Sequence, residues 1–179
     1  MSAPVKISKG KQRSAARLAA VQALYDMELS GNRIDKVMAT YLSGGVSADL
    51  DGELVPADSE LFKDIMRGVT ARQEDLDKMI TSALASNRSV ARLEVLMRAI
   101  LRCGSYELIA RGDIDPPLTI NEYLSVASSF YSGTEPGFVN GVLDKLARTI
   151  RDDDLLKDEL SDDGETIDAS VVDDTDLDG

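Results

Sequence analysis

The chain has 179 residues, a formal net charge of −12, 43% hydrophobic and 4% aromatic residues, and no histidine. With no histidine and with Cys103 as the only cysteine, the sequence excludes imidazole bases, ordinary zinc sites and intrachain disulfides, and we predict neither a metal site nor a cofactor. There is no signal peptide and no apolar run long enough to cross a bilayer, which predicts a cytoplasmic location.

The charge is unevenly distributed along the chain. Residues 152–179 contain thirteen acidic residues and one lysine, so residues 1–151 contain nineteen acidic and nineteen basic residues. We predict a disordered acidic tail over residues 152–179 and a flexible basic arm over residues 1–10. Five bases precede the first acidic residue and form a candidate contact for a polyanion; they are Lys6, Lys9, Lys11, Arg13 and Arg17.

Apolar residues recur with helical spacing through residues 11–151, which predicts an all-α domain over this range. In the first half, we expect a helix from Gln12 or Arg13 to Ser30 and a short helix over residues 35–42. Residues 43–58 are rich in Gly and Asp and predict a loop without core residues. Asp58 is a suitable N-cap for the helix that follows, and a second amphipathic stretch continues to about residue 84.

In the second half, the most apolar helix covers residues 93–108, and we expect it to lie at the centre of the fold. Gly104 within it is predicted to permit close contact between helices. The sequence from Thr119 to Glu122 has the spacing of a capping box and predicts the start of the next helix. The last helix begins near Pro136 and continues to Arg151.

The dipeptide Asn140-Gly141 lies within this last helix, on its polar face. A glycine there costs roughly 1 kcal/mol relative to alanine, and no core packing on that face explains it. One interpretation is that an external ligand approaches the helix closely near its N-terminus, where the free N–H groups favour phosphate. The alternative is that another helix of the same chain packs against Gly141.

Four segments, AVQALYDMELSG, AILRCGSYEL, TINEYLSVASSF and FVNGVLDK, together resemble the NusB family in order and spacing, from about Arg13 to Arg151. The resemblance implies two packed three-helix bundles with about seven helices, and a non-enzymatic, RNA-binding transcription antitermination factor. It implies pairing with the ribosomal protein NusE, binding of boxA RNA from ribosomal RNA operons, and action within the antitermination complex on RNA polymerase. Some members of the family form homodimers.

Two groups of residues are predicted to bind RNA. Bases at the start of the first helix supply contacts to phosphate, and aromatic rings beside a basic surface can stack on unpaired bases. For Phe138 a place in the core is the favoured interpretation, with an exposed edge as the alternative. The predicted RNA-binding residues are Lys9, Lys11, Arg13, Arg17, Arg102, Phe130, Phe138, Asn140 and Gly141.

Two features leave other functions open. The basic run is thinner than the one that opens the family's first helix, and the loop SGTEPG before Phe138 contains no basic residue. The chain is therefore either an RNA-binding antitermination factor or a helical adaptor that does not bind RNA. A further alternative is an RNA-binding fragment of a ribosomal RNA cytosine methyltransferase, a group in which NusB-like domains also occur.

Overall fold

The computed structural model describes residues 6–162, which fold into seven α-helices, one 3-10 helix and a two-stranded antiparallel sheet. This confirms the predicted all-α class with about seven helices. None of the helices within residues 6–162 is both long and apolar enough to span a membrane. The elements in chain order are α1 (Lys9–Ser30), α2 (Ile34–Leu42), β1 (Ser47–Leu50), β2 (Glu53–Pro56), α3 (Ser59–Ala71), α4 (Gln73–Ala83), the 3-10 helix (Val90–Arg92), α5 (Val95–Ala110), α6 (Pro116–Phe130) and α7 (Glu135–Asp162).

The helices pack as two groups that share one core. Helices α1, α2 and α3 contact one another, as do α5, α6 and α7, and α4 packs against α5 and α7. Helix α1 joins the groups because it also contacts α5 and α6. Gly104 supplies the predicted close approach, since a Cβ atom there would lie 2.8 Å from the Leu143 side chain of α7.

Side-chain contacts define the relative directions of three helices. Ser14 of α1 donates a hydrogen bond to Glu122 of α6 at 2.8 Å, and Gln22 lines the same cleft as Phe130, eight residues further along each helix. Helices α1 and α6 therefore run in the same direction. Only four residues connect α6 to α7, so α7 returns antiparallel to α6. The start of α1 and the C-terminal part of α7 consequently lie at the same end of the molecule.

Two predicted helix starts are wrong by a few residues. Helix α1 begins at Lys9, inside the predicted flexible arm, because the Ser8 hydroxyl caps it by accepting a hydrogen bond from the Lys11 N–H at 3.2 Å. Helix α6 begins at Pro116, since proline is well tolerated in the first turn of a helix. Thr119 is therefore a buried residue within α6, and the predicted capping box is wrong.

The segment predicted as a loop without core residues forms the β-hairpin instead. Ala48 and Val55 pair across the two strands, and both are buried against the rest of the core. Asp51 and Gly52 form the turn with φ of 54° and 84°. An Asp-Gly pair suits a turn with positive φ at both central residues. The hairpin is thus a small addition to an otherwise helical fold, and its sequence signal was Asp51-Gly52.

Helix α7 also extends beyond the predicted boundary at Arg151 and ends at Asp162. Residues 152–162 are therefore helical where a disordered segment was predicted. Asp152, Asp153 and Asp154 are exposed, and Lys157 forms an ion pair with Asp154 at 3.6 Å along this extension. The remainder of the predicted tail, residues 163–179, lies outside the described residues.

A buried ion pair connects α1, α5 and α6. The Arg17 guanidinium donates two hydrogen bonds to Glu107, at 2.8 and 3.1 Å, and Tyr123 donates a third to Glu107 at 2.5 Å. Arg17 also lies 3.2 Å from Glu122. Burial alone would lower the pKa of Arg17, but the hydrogen bond and charge of Glu107 outweigh it and raise that pKa above its ordinary value. Burial and the Glu107 charge likewise raise the pKa of Tyr123, so its hydroxyl remains a donor.

Loss of the Arg17 side chain is expected to destabilise the fold strongly. Arg17→Ala leaves the carboxylate of Glu107 buried without its cation, which costs about 3–5 kcal/mol in comparable sites. Arg13→Ala, one turn earlier and exposed, is the matched control and is expected to change the free energy of unfolding by less than about 0.5 kcal/mol. Urea unfolding measures both, and equal stability of the two variants would contradict a structural role for the ion pair.

Candidate nucleic-acid interface

The start of α1 forms a basic surface. Lys9, Lys11 and Arg13 are exposed, and the first turn of α1 contains no acidic residue. The positive end of the helix dipole adds to their charge. Lys11 is partly neutralised because its ammonium group lies 2.8 Å from Glu53 of the hairpin, and this hydrogen bond raises the pKa of Lys11. Lys9 and Arg13 are therefore the better placed of the predicted bases to contact a polyanion.

Arg17, which we predicted to bind RNA, is not on this surface. Only 6% of the residue is exposed, and the carboxylates of Glu107 and Glu122 surround its guanidinium. A buried arginine held by two carboxylates cannot approach a phosphate without breaking the core network. Its position corrects the prediction and makes Arg17 a structural residue.

The side chain of Arg102 likewise forms ion pairs within the protein. Its guanidinium donates hydrogen bonds to both oxygens of Asp77 on α4, at 2.8 and 2.9 Å, and to Glu28 on α1 at 3.2 Å. Burial alone lowers the pKa of Arg102, whereas its hydrogen bonds with Asp77 more than offset this and raise the pKa. Arg102 thus ties three helices together, and its side chain is only 11% exposed. The predicted RNA contact of Arg102 would require its guanidinium to leave these carboxylates.

The start of α7 brings together an aromatic ring and a base that are distant in sequence. Phe138 is half-buried and packs against the core, in agreement with the favoured interpretation. The guanidinium carbon of Arg88, from the exposed connection after α4, lies 5.8 Å from the centre of the Phe138 ring, within cation–π range. Arg88 therefore supplies the positive charge that SGTEPG lacks. Sequence reasoning missed it because no local pattern relates residues 50 positions apart.

Asn140 and Gly141 lie on the outer face of α7, within one turn of Phe138 along the helix. Both are exposed, and a Cβ atom built on Gly141 would meet no heavy atom within 4 Å. The alternative that another helix of the chain packs against Gly141 is therefore wrong for the part of the chain that the structure describes. The close approach that this glycine permits remains available to an external ligand.

Phe130 ends α6 with an exposed ring. The ring is 38% exposed and borders an open cleft of about 420 Å³ between α1 and α6, whose wall also includes Tyr25 and Gln22. A second cleft between the same helices contains Lys11, Ser14 and Ser129. The two clefts follow one another along α1 and α6, from Lys11 near the start of α1 to Phe130, over roughly 17 Å at 1.5 Å per residue. We call the two clefts together the groove between α1 and α6.

The exposed face of α6 that borders this groove is rich in hydroxyl groups. Glu122 of α6 and the hairpin residues Asp51 and Glu53 also line the groove and make it partly acidic. Asn121, Ser125, Ser128 and Ser129 are all exposed. Such side chains hydrogen-bond to phosphate and sugar oxygens without adding charge. The groove thus has a lysine at one end, hydroxyl groups and carboxylates along its length and an aromatic ring at the other end. Within residues 6–162, no group of three or more Cys, Asp or Glu residues is arranged to hold a metal ion.

Comparison with known proteins agrees with this architecture. A sequence profile of the NusB family matches residues 14–148. The transcription antitermination protein NusB of Caulobacter vibrioides is 46% identical over 141 residues, which cover 78% of this chain and 95% of that protein. The NusB protein of Sphingopyxis alaskensis is 43% identical over 144 residues, covering 80% and 97% respectively. The chain belongs to the NusB family, and these relatives are transcription antitermination proteins, a non-enzymatic class.

Solved structures share the fold. NusB of T. maritima superposes with a TM-score of 0.63 at 26% sequence identity, over 80% of this chain and 93% of that protein. A chain from a crystal structure of the antitermination factors NusB and NusE with double-stranded RNA superposes with a TM-score of 0.64 at 23% identity. That superposition covers 78% of this chain and 98% of the other, and it establishes the common helical architecture.

Two glycines on facing helices are expected to respond oppositely to alanine. Gly141→Ala adds a methyl group in open space on a helix and is expected to stabilise the protein by about 0.5–1 kcal/mol. Gly104→Ala is the matched control, and its Cβ atom collides with Leu143, so we expect destabilisation by about 1–3 kcal/mol. Thermal unfolding measures both; a loss of stability in Gly141→Ala would contradict the exposed position of this glycine.

Proposed function

We propose that this protein is a cytoplasmic antitermination factor that binds boxA-like single-stranded RNA together with the ribosomal protein NusE. It would act within the antitermination complex on RNA polymerase and support transcription of ribosomal RNA operons. The observation that carries the RNA-binding proposal is the exposed, unneutralised pair Lys9 and Arg13 at the start of α1. The groove between α1 and α6 begins close by at Lys11 and ends at the exposed ring of Phe130.

Family relatives support the choice of partners. The relatives with 40–46% identity are antitermination proteins, and a protein of the same fold has been crystallised with NusE and RNA. We extend these partners to this chain on the strength of the family and of the groove. A homodimer, which the family also includes, stays a prediction that sedimentation analysis of the purified chain can check.

One observation favours the adaptor without RNA binding. Of the predicted RNA-binding bases, Arg17 and Arg102 are held inside the protein and Lys11 is paired with Glu53. Few bases therefore remain to attract phosphate. The two functions are separated by titrating boxA-like and scrambled RNA into the protein at about 0.1 M salt, with and without NusE. Preference for boxA-like RNA in the presence of NusE supports the proposal, whereas equally weak binding of both RNAs supports the adaptor.

The bases at the start of α1 are expected to set the salt dependence of RNA binding. Replacing Lys9 and Arg13 by glutamine removes up to two phosphate contacts, so the slope of log affinity against log salt concentration should decrease by about 0.7 per contact. Arg33, which precedes α2, and Arg67 on α3 are exposed bases and provide the matched double substitution, which should leave the slope unchanged. Identical slopes for the two double variants would show that the start of α1 does not contact RNA.

Phe130 is expected to contribute by stacking on an unpaired base. Phe130→Ala should weaken binding of boxA-like RNA by about 1–3 kcal/mol and leave the salt slope unchanged, because stacking releases no counterions. Leu29→Ala, which removes another exposed apolar side chain, is the control and should have little effect. Circular dichroism verifies that both variants are folded, and an unchanged affinity of folded Phe130→Ala would exclude the stacking role.

A further inference from the structure

Several bases at the start of α1 have no carboxylate partner in the part of the chain that the structure describes. Lys6, Lys9 and Arg13 are exposed, and among residues 6–154 no carboxylate oxygen lies within 4 Å of their charged groups. Lys11, which lies between Lys9 and Arg13, already donates a hydrogen bond to the carboxylate of Glu53 at 2.8 Å. The surface therefore suits carboxylates as well as phosphates, since both are oxygen anions that accept hydrogen bonds from lysine and arginine.

The acidic end of the chain leaves the molecule on the same side. Helix α7 runs antiparallel to α6, and α1 runs parallel to α6, so Arg151 and Lys9 are at the same end of the bundle. Beyond Arg151 the helix exposes Asp152, Asp153 and Asp154 and ends at Asp162. Residues 163–179 add seven acidic residues and no base.

The remaining length of chain is sufficient to reach α1. Two successive helix–helix spacings, from α7 across α6 to α1, amount to about 20 Å. Helix α7 extends roughly 16 Å beyond Arg151, at 1.5 Å per residue. The path from Asp162 back to the start of α1 is therefore about 26 Å by these spacings. The 17 residues after Asp162 span up to about 58 Å when fully extended, so they are long enough to reach the start of α1.

We propose that residues 163–179 bind the basic start of α1 in the RNA-free protein and compete there with RNA phosphates. This proposal rests on the proposed RNA-binding function. Because the acidic segment is covalently attached, even a weak contact is populated without a second molecule. Competition of this kind suppresses sequence-independent RNA binding, which depends on the same phosphate contacts. RNA that is additionally held by base contacts and by NusE displaces the segment.

The intramolecular contact can be tested without RNA. In the full chain, Ser170→Cys provides an attachment point for a spin label, and the native Cys103 is fully buried and protected from labelling. We expect the label to broaden the amide NMR signals of residues 9–13 at about 50 mM salt and to lose this effect at about 1 M, where the Debye length is only about 3 Å. Absence of broadening at low salt would overturn the proposal.

Substitutions show whether the contact depends on the bases named here. Replacing Lys6, Lys9 and Arg13 by glutamine should abolish the broadening. The matched control replaces Arg33, Arg67 and Arg92, three exposed arginines outside α1, and should preserve it. Broadening that survives loss of the α1 bases would also overturn the proposal, because the segment would then be bound elsewhere.

The consequence for RNA is measured with a full-length variant in which the seven acidic residues of 163–179 are replaced by Asn or Gln. At about 50 mM salt this variant should bind RNA of unrelated sequence at least about threefold more tightly than the unmodified chain, and the difference should disappear by about 0.5 M. Equal affinities at low salt would overturn the competition. If neither protein binds RNA while the spin-label contact is observed, the proposed function fails and the intramolecular contact stands.

Discussion

The ion pair between Arg17 and Glu107 is the interaction on which the rest of the structure depends. It links α1 to α5, and through Tyr123 and Glu122 it also links both helices to α6. These are the elements through which the two groups of helices meet. A buried pair of this kind adds less net stability than hydrophobic packing of the same volume, but losing one partner is costly. Its geometry therefore selects the one register in which α1 lies along α6.

That register creates the groove that we propose for RNA. With Arg17 fixed beside Glu122, the preceding turn of α1 emerges at the surface, where Arg13 and Lys9 are exposed. The following turns place Gln22 beside Phe130. Lys11, next to the basic surface, and the Phe130 ring therefore lie at the two ends of the groove, because the same helix pair carries both. Substitution of Arg17 would weaken RNA binding indirectly, because α1 would lose its fixed orientation against α6. Arg17 itself would make no contact with RNA.

Sequence patterns predicted the helices, the central position of α5, the close contact at Gly104 and the exposed face that carries Gly141. Each of these follows from local periodicity, which determines which face of a helix is buried. Patterns could not separate Arg13 from Arg17, which share a helix face although only Arg17 lies within the core. They also missed the hairpin and Arg88. Whether a charge is buried depends on a partner such as Glu107, which lies 90 residues away in sequence.

The distribution of charge explains why this protein would depend on a second protein for RNA recognition. Most of the predicted RNA-binding bases have carboxylate partners within the fold, so few phosphates can be neutralised directly. Electrostatic affinity that is independent of sequence would be correspondingly small, and the competition that we propose for residues 163–179 would reduce it further. The stacking that we propose at Phe130 and a close approach at Gly141 would add discrimination rather than general attraction. A protein built in this way holds RNA firmly only when a partner supplies the remaining contacts, which makes stable binding conditional on assembly of the complex.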